Sequence, residues 1–123
     1  MGILYGHRCV LCGADFPVTT SRTLQLCPDC AAAVRREYRC NEVISIAGAD
    51  GTIAPLYYRG IVRNAMKRFK FSSAAYCADW FAAQMSVVLT SQLEDWQPDL
   101  VTYMPIGFLH YRKRGYNQAE PLA

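Results

Sequence analysis

Four cysteines in two pairs constrain this chain more than any other feature. Cys9-Val10-Leu11-Cys12 and Cys27-Pro28-Asp29-Cys30 are both C-x-x-C units. Two residues between ligands let both thiolates of a pair reach one ion from a tight turn. The interval from Cys12 to Cys27 is close to that of paired-knuckle zinc sites. Gly13 follows the first pair, where a residue free to take positive φ suits the turn. Four thiolates close a tetrahedral site and leave no open position for catalysis, so the expected ion is a structural Zn²⁺ on Cys9, Cys12, Cys27 and Cys30. The ion would supply folding free energy to a segment too small for its own core. An iron site with the same thiolates is one alternative. A thioredoxin-like redox pair is another, but it calls for one C-x-x-C beside a βαβ pattern.

The remaining cysteines are Cys40 and Cys77. Cys77 falls on the apolar side of a helical segment and reads as core packing. Cys40 reads either as the vestige of a second ribbon or as a buried neutral residue.

At 123 residues with 52 % hydrophobic content, the composition is globular. Met1 to His7 is too short for a signal peptide and lacks a charged start before an apolar core. No apolar run reaches the roughly 18 residues of a membrane helix. The longest, around Ala74 to Leu89, is interrupted by Asp79, Gln84 and Ser86. The expectation is a cytoplasmic chain without membrane insertion, whose cysteines stay reduced and mostly ligate metal.

The net charge of +3 is modest, but its distribution is uneven. Arg59, Arg63, Lys67, Arg68 and Lys70 crowd one stretch without an acidic residue, and Arg112, Lys113 and Arg114 form a second run. Such clusters suit phosphate or nucleic-acid backbones. They are equally compatible with solvated helix and loop faces.

Periodicity gives the elements. Ala31 to Arg39 reads as a short helix leaving the second knuckle. Glu42 to Ala47 and Ile53 to Tyr58 read as strands around the turn cluster Gly48-Ala49-Asp50-Gly51, the second at an edge because of Pro55. Gly60 to Phe71 reads as an amphipathic helix, with Ile61, Val62, Ala65, Met66 and Phe69 on one face and Arg63, Lys67 and Lys70 on a neighbouring one. Ser72-Ser73 is a cap candidate for the next helix, from Ala74 to about Leu93, with Cys77, Phe81 and Val88 on its apolar side. Glu94-Asp95 reads as a helix-end feature, Gln97-Pro98-Asp99 as a loop, and Leu100 to Met104 as a buried strand ended by Pro105. Ile106 to Gly115 reads as a loop and Asn117 to Ala123 as a helix start. This order resembles the opening of an α/β domain with a parallel sheet, cut off early, which predicts a fragment or a truncated reading frame.

Tyr111-Arg112-Lys113-Arg114-Gly115-Tyr116-Asn117-Gln118 puts three cations and two amides just after the expected strand. Ligands of open α/β sheets sit outside the carboxyl ends of strands. Asn117 opens a helix whose free N–H groups favour anions. Gly115 permits close backbone approach, and Arg112 and Arg114 offer forked donors. The alternative to an anion-binding loop is a surface loop with incidental charge.

Taken together, Cys9-x-x-Cys12-Gly13, Cys27-x-x-Cys30, Tyr58-Arg59-Gly60-Ile61-Val62-Arg63, Phe69-Lys70-Phe71, and Met104-Pro105 with Arg112-x-Arg114-Gly115-Tyr116-Asn117-Gln118-Ala119 resemble the ComF family of competence-associated proteins. The match in order and approximate spacing covers essentially the whole chain. The resemblance implies an α/β chain: a small N-terminal four-cysteine zinc ribbon at residues 1–40, then the N-terminal part of a phosphoribosyltransferase-like three-layer domain at 41–123. It implies a role in natural transformation, with single-stranded DNA and the DNA-uptake helicase machinery as partners. It also implies a phosphate or nucleic-acid site at Arg112, Arg114, Gly115, Asn117 and Gln118, with Lys70 as a further member.

The chain departs from the family in two places. The family's phosphoribosyl-pyrophosphate loop, two adjacent acidic residues followed by Thr-Thr-Gly, has no counterpart. Where many members carry a second pair of knuckles, only Cys40 stands. The expectation is therefore a non-catalytic chain, with phosphoribosyl pyrophosphate bound only by a full-length form. Two other functions compete with assistance to DNA uptake. One is a phosphoribosyltransferase completed by a missing C-terminal part. The other is a zinc-ribbon interaction module, with Tyr57, Tyr58 and Trp80 as possible contacts.

Overall fold

A computed structural model describes residues 7–16, 25–40, 42–71, 77–105, 107, 109 and 119–122. Strands β1 (His7–Arg8) and β2 (Asp15–Phe16) form an antiparallel hairpin around the first cysteine pair, in register His7 to Phe16 and Arg8 to Asp15. Helix α1 (Pro28–Ala33) leaves the second pair and continues into a π-helical turn, Val34–Tyr38. It starts earlier than the apolar periodicity from Ala31 predicts. The reason is Pro28, whose fixed φ and missing N–H suit a first helical turn.

Strands β3 (Val43–Ile44) and β4 (Thr52–Ile53) pair antiparallel, Val43 to Ile53 and Ile44 to Thr52, around the expected turn cluster. Both are shorter than the sequence predicts. Beyond Pro55 the second segment holds only an isolated bridge from Leu56 to Arg39.

Helix α2 (Gly60–Phe71) has the bounds expected from the sequence. Its predicted apolar face is the one that packs: Val62, Ala65 and Phe69 are buried and Ile61 and Met66 half-buried, while Arg63, Lys67 and Lys70 are exposed. Helix α3 (Ala78–Trp96) buries Ala78, Trp80, Phe81, Gln84 and Val88. It runs a turn past Leu93, carrying Glu94 and Asp95 in its last turn. It stops where Gln97 adopts a left-handed conformation (φ 42°), with its N–H on the Leu93 carbonyl at 2.9 Å, and Pro98 blocks continuation. A 3₁₀ turn, Glu120–Leu122, packs on α3. The cap candidates Ser72 and Ser73 lie outside the described residues.

One buried cluster joins these parts. Cys9, Val10, Leu11, Leu26, Cys30 and Val34 meet Val62, Ala65 and Phe69 of α2 and Cys77, Ala78, Trp80 and Phe81 at the start of α3. Phe69 meets Phe81 at 5.8 Å with the rings tilted by 43°, and Phe81 meets Trp80 edge-on at 5.3 Å. Burying a side chain such as Phe69 contributes on the order of 1.5–3 kcal/mol. Gln84, buried on α3, has its amide oxygen satisfied by the Arg39 guanidinium, which removes the cost of an unpaired polar group.

The expected strand at Leu100–Met104 is not formed. The segment is irregular, and Leu100, Val101 and Met104 are 81 %, 59 % and 78 % exposed. A strand exists only through its ladder, and this segment pairs with no other described residue. For the same reason the described residues contain antiparallel pairs but no parallel sheet. Between β4, α2, α3 and this segment lies an apolar groove of about 700 Å³, lined by Ile53, Met66, Phe81, Val88 and Leu122 among others. No helix among the described residues is long and apolar enough to cross a membrane.

Candidate metal centre

Both cysteine pairs sit on turns built for ligation. In the first, the Cys9 N–H reaches the Ala14 carbonyl at 2.8 Å and the Gly13 N–H reaches the Cys9 carbonyl at 2.9 Å. The chain thus folds back within five residues, with Gly13 at φ +75°, a conformation that L side chains rarely adopt. The second pair spans the entry to α1, where the Ala31 N–H closes on the Cys27 carbonyl at 3.0 Å. A backbone bond from the Val10 N–H to the Gln25 carbonyl, 3.0 Å, brings the two knuckles together.

The result is four sulfur atoms within 4.8 Å of one another, from Cys9, Cys12, Cys27 and Cys30. The Cys12 and Cys27 sulfurs are 3.8 Å apart. A tetrahedral zinc with Zn–S bonds of about 2.3 Å requires sulfur–sulfur edges of about 3.8 Å. The donor set and its spacing therefore fit one four-coordinate ion. Cys9 and Cys30 are buried, Cys27 is half-buried and Cys12 is exposed, so the site has one side open to solvent.

The electrostatics differ from thiol to thiol. Burial disfavours the Cys9 thiolate, but the backbone N–H groups of Cys12, Cys27 and Leu11 outweigh it and bring Cys9 down from 9.0 to about 7. Burial raises Cys27, and burial together with the neighbouring thiols raises Cys30 further. A bound metal ion would override these differences by replacing the protons of all four.

Cys40 and Cys77 lie outside the cluster and are buried, at 4 % and 0 % exposure. Cys77 directs its thiol to the Val10 carbonyl at 3.8 Å, consistent with its expected place in the core. Cys40 is buried, as the second of its two readings expects.

Of the expected phosphate-site residues, Lys70 is exposed near the end of α2. Arg112, Arg114, Gly115, Asn117 and Gln118 lie outside the described residues. Arg68 was grouped by sequence with the basic run, yet it turns inward. Its Nη2 donates to the Val10 and Leu11 carbonyls at 3.0 and 2.6 Å. A helical wheel carries the signal, since Arg68 is the cation of α2 that borders the buried stripe beside Ala65 and Ile61. Arg59 packs over the rings of Tyr38 (5.8 Å) and Tyr57 (5.1 Å) and donates to the Glu37 carbonyl at 2.7 Å. Trp80 is buried, while Tyr57 and Tyr58 are exposed.

Comparison of the chain with protein-family models, curated proteins and solved structures found no match.

Proposed function

We propose that this chain is a zinc-ribbon protein of ComF type that assists DNA uptake by binding single-stranded DNA or a phosphorylated ligand, and that it is non-catalytic in this form. The carrying observation is the convergence of Cys9, Cys12, Cys27 and Cys30 within 4.8 Å, from two knuckles at zinc-ribbon spacing. Four thiolates occupy every position of a tetrahedral ion, so the zinc is structural. On this reading residues 41–123 are the N-terminal portion of a phosphoribosyltransferase-like three-layer domain, and phosphoribosyl pyrophosphate belongs to a longer form. The chain then works in the cytoplasm, beside the uptake helicase.

Support for the nucleic-acid part comes from α2. Packing of Val62, Ala65 and Phe69 fixes the helix so that Arg63, Lys67 and Lys70 face outward, as a backbone-reading surface requires. The test is fluorescence anisotropy with a labelled single strand across a salt series. Affinity should fall steeply with salt, and R63Q with K67Q should flatten the log–log slope by about 0.7 for each lost phosphate contact. Absence of binding at low salt removes the nucleic-acid reading and leaves the metal centre standing.

A further inference from the structure

The first knuckle is held from outside by a residue distant in sequence. Val10 and Leu11 are the two residues between Cys9 and Cys12, and both are fully buried. Their carbonyl groups cannot turn to water, and both accept from the single Nη2 of Arg68 on α2. The guanidinium lies beside Gly13, at ordinary contact distance. A Cβ built there would lie 3.7 Å from both Cζ and Nε of Arg68. The Nε–H is itself buried and has no acceptor among the described residues. A half-buried cation thus sits against the turn that carries two of the four thiols.

That arrangement has opposite consequences in the two states of the site. Without the ion, the half-buried cation has only the two carbonyls to compensate it. A divalent ion on four thiolates leaves the site net anionic, and a fixed positive charge beside the knuckle then favours it. The two carbonyl bonds also hold the ligand-bearing turn in the shape that the ion needs. Groups behind metal ligands act in this way on affinity.

Resting on the reading of the four cysteines as a metal site, we propose that Arg68 is a positioning residue for that site, a clamp through which metal occupancy and the seating of α2 stabilise each other. The coupling is reciprocal: what strengthens one end strengthens the other by the same factor. The exposed basic face of α2, already seated by Val62, Ala65 and Phe69, is then held more firmly while the metal is bound. A second contact sets the helix's other end, because Gly60 lies against the Tyr38 ring that closes the segment after the second knuckle. That contact involves no charge and is indifferent to the metal.

The test uses the full chain loaded with zinc. Release of zinc to a chromophoric chelator is timed for the wild type, R68K, R68Q and the control V88A, which thins the core on α3 away from the knuckles. R68Q should release zinc about 10–100-fold faster. R68K keeps the charge, but on a shorter, flexible stem with a more strongly hydrated head that is less readily held against the two carbonyls, so it should fall between. V88A should lower the unfolding midpoint and leave release unchanged. Hydrogen exchange on the wild type supplies a readout without substitution: stripping the zinc should increase exchange at Val62 to Phe69, and should add nothing further in R68Q.

Release from R68Q at the wild-type rate overturns the clamp while leaving the metal site intact. So does unchanged exchange along α2 after stripping. A wild type that takes up no zinc overturns both the site and the clamp.

Discussion

Replacing Gly60 with alanine probes the junction between the ribbon segment and α2. Gly60 has φ +50°, and a Cβ built there would collide with the Tyr38 hydroxyl and lie 3.2 Å from Cζ of the same ring. Two costs follow. A left-handed backbone costs an L side chain about 1–2 kcal/mol, offset by about 0.4–1 kcal/mol because alanine narrows the unfolded ensemble. Moving the Tyr38 ring off its rotamer adds about 0.5–1.5 kcal/mol and disturbs the Arg59 guanidinium packed on it. The net loss should be about 2 kcal/mol. Gly48 supplies the control, since it has φ +87° but nothing within 4 Å of its Cβ position. G48A therefore carries only the backbone part, a loss of about 1 kcal/mol. Urea unfolding at fixed free zinc measures both. In a Y38F background the excess cost of G60A should shrink, because the hydroxyl is the closest atom. Equal losses in G60A and G48A, or a G60A cost that Y38F leaves untouched, would refute this account of the junction.

Other expectations follow from the same packing and chemistry. Phe69→Ala, at 1 % exposure between the ribbon and α3, should cost about 3–5 kcal/mol in urea unfolding, and Phe69→Leu under about 1.5 kcal/mol; a loss below 1 kcal/mol for the alanine variant would mean that the cluster is not one core. In the metal-stripped chain Cys12, the exposed thiol, should be alkylated before Cys9, which is lowered to about 7 but fully buried; peptide mapping that finds Cys9 labelled first contradicts the burial order. The raised thiols of Cys27 and Cys30 keep protons in the folded state that the unfolded chain gives up near 9.0. Their stabilisation is full below that pH and is lost as pH rises through their folded values. The lowered Cys9 contributes in the opposite sense: its stabilisation is present above 9.0 and lost as pH falls through about 7. The urea midpoint of the stripped chain should therefore fall as pH rises above 9.0, whereas the loaded chain, whose thiolates carry no protons, should not show that loss. Parallel falls in both would contradict the assignment of these thiols to the metal.

The cysteine cluster and α2 were legible because their information is local. Two C-x-x-C pairs specify their own turns, and the 3.6-residue period of Ile61, Val62, Ala65, Met66 and Phe69 identifies the buried face without knowledge of what covers it. Arg68 was not legible in that way. Its acceptors are the carbonyls of Val10 and Leu11, 58 and 57 positions earlier, and backbone carbonyls have no side-chain signature. Leu100 to Met104 failed for the converse reason. Its apolar β-branched character describes a tendency, and a strand also needs a neighbour offering a ladder. The expected start of the first helix was late because the apolar period begins after Pro28, the residue that opens the helix.

The most direct test of the central claim is metal content combined with native mass spectrometry on chain purified without chelators. The account predicts one zinc per chain, retained through desalting and lost on changing Cys27 to Ser. A chain that holds no metal, that holds iron in place of zinc, or that keeps its zinc in C27S would contradict it.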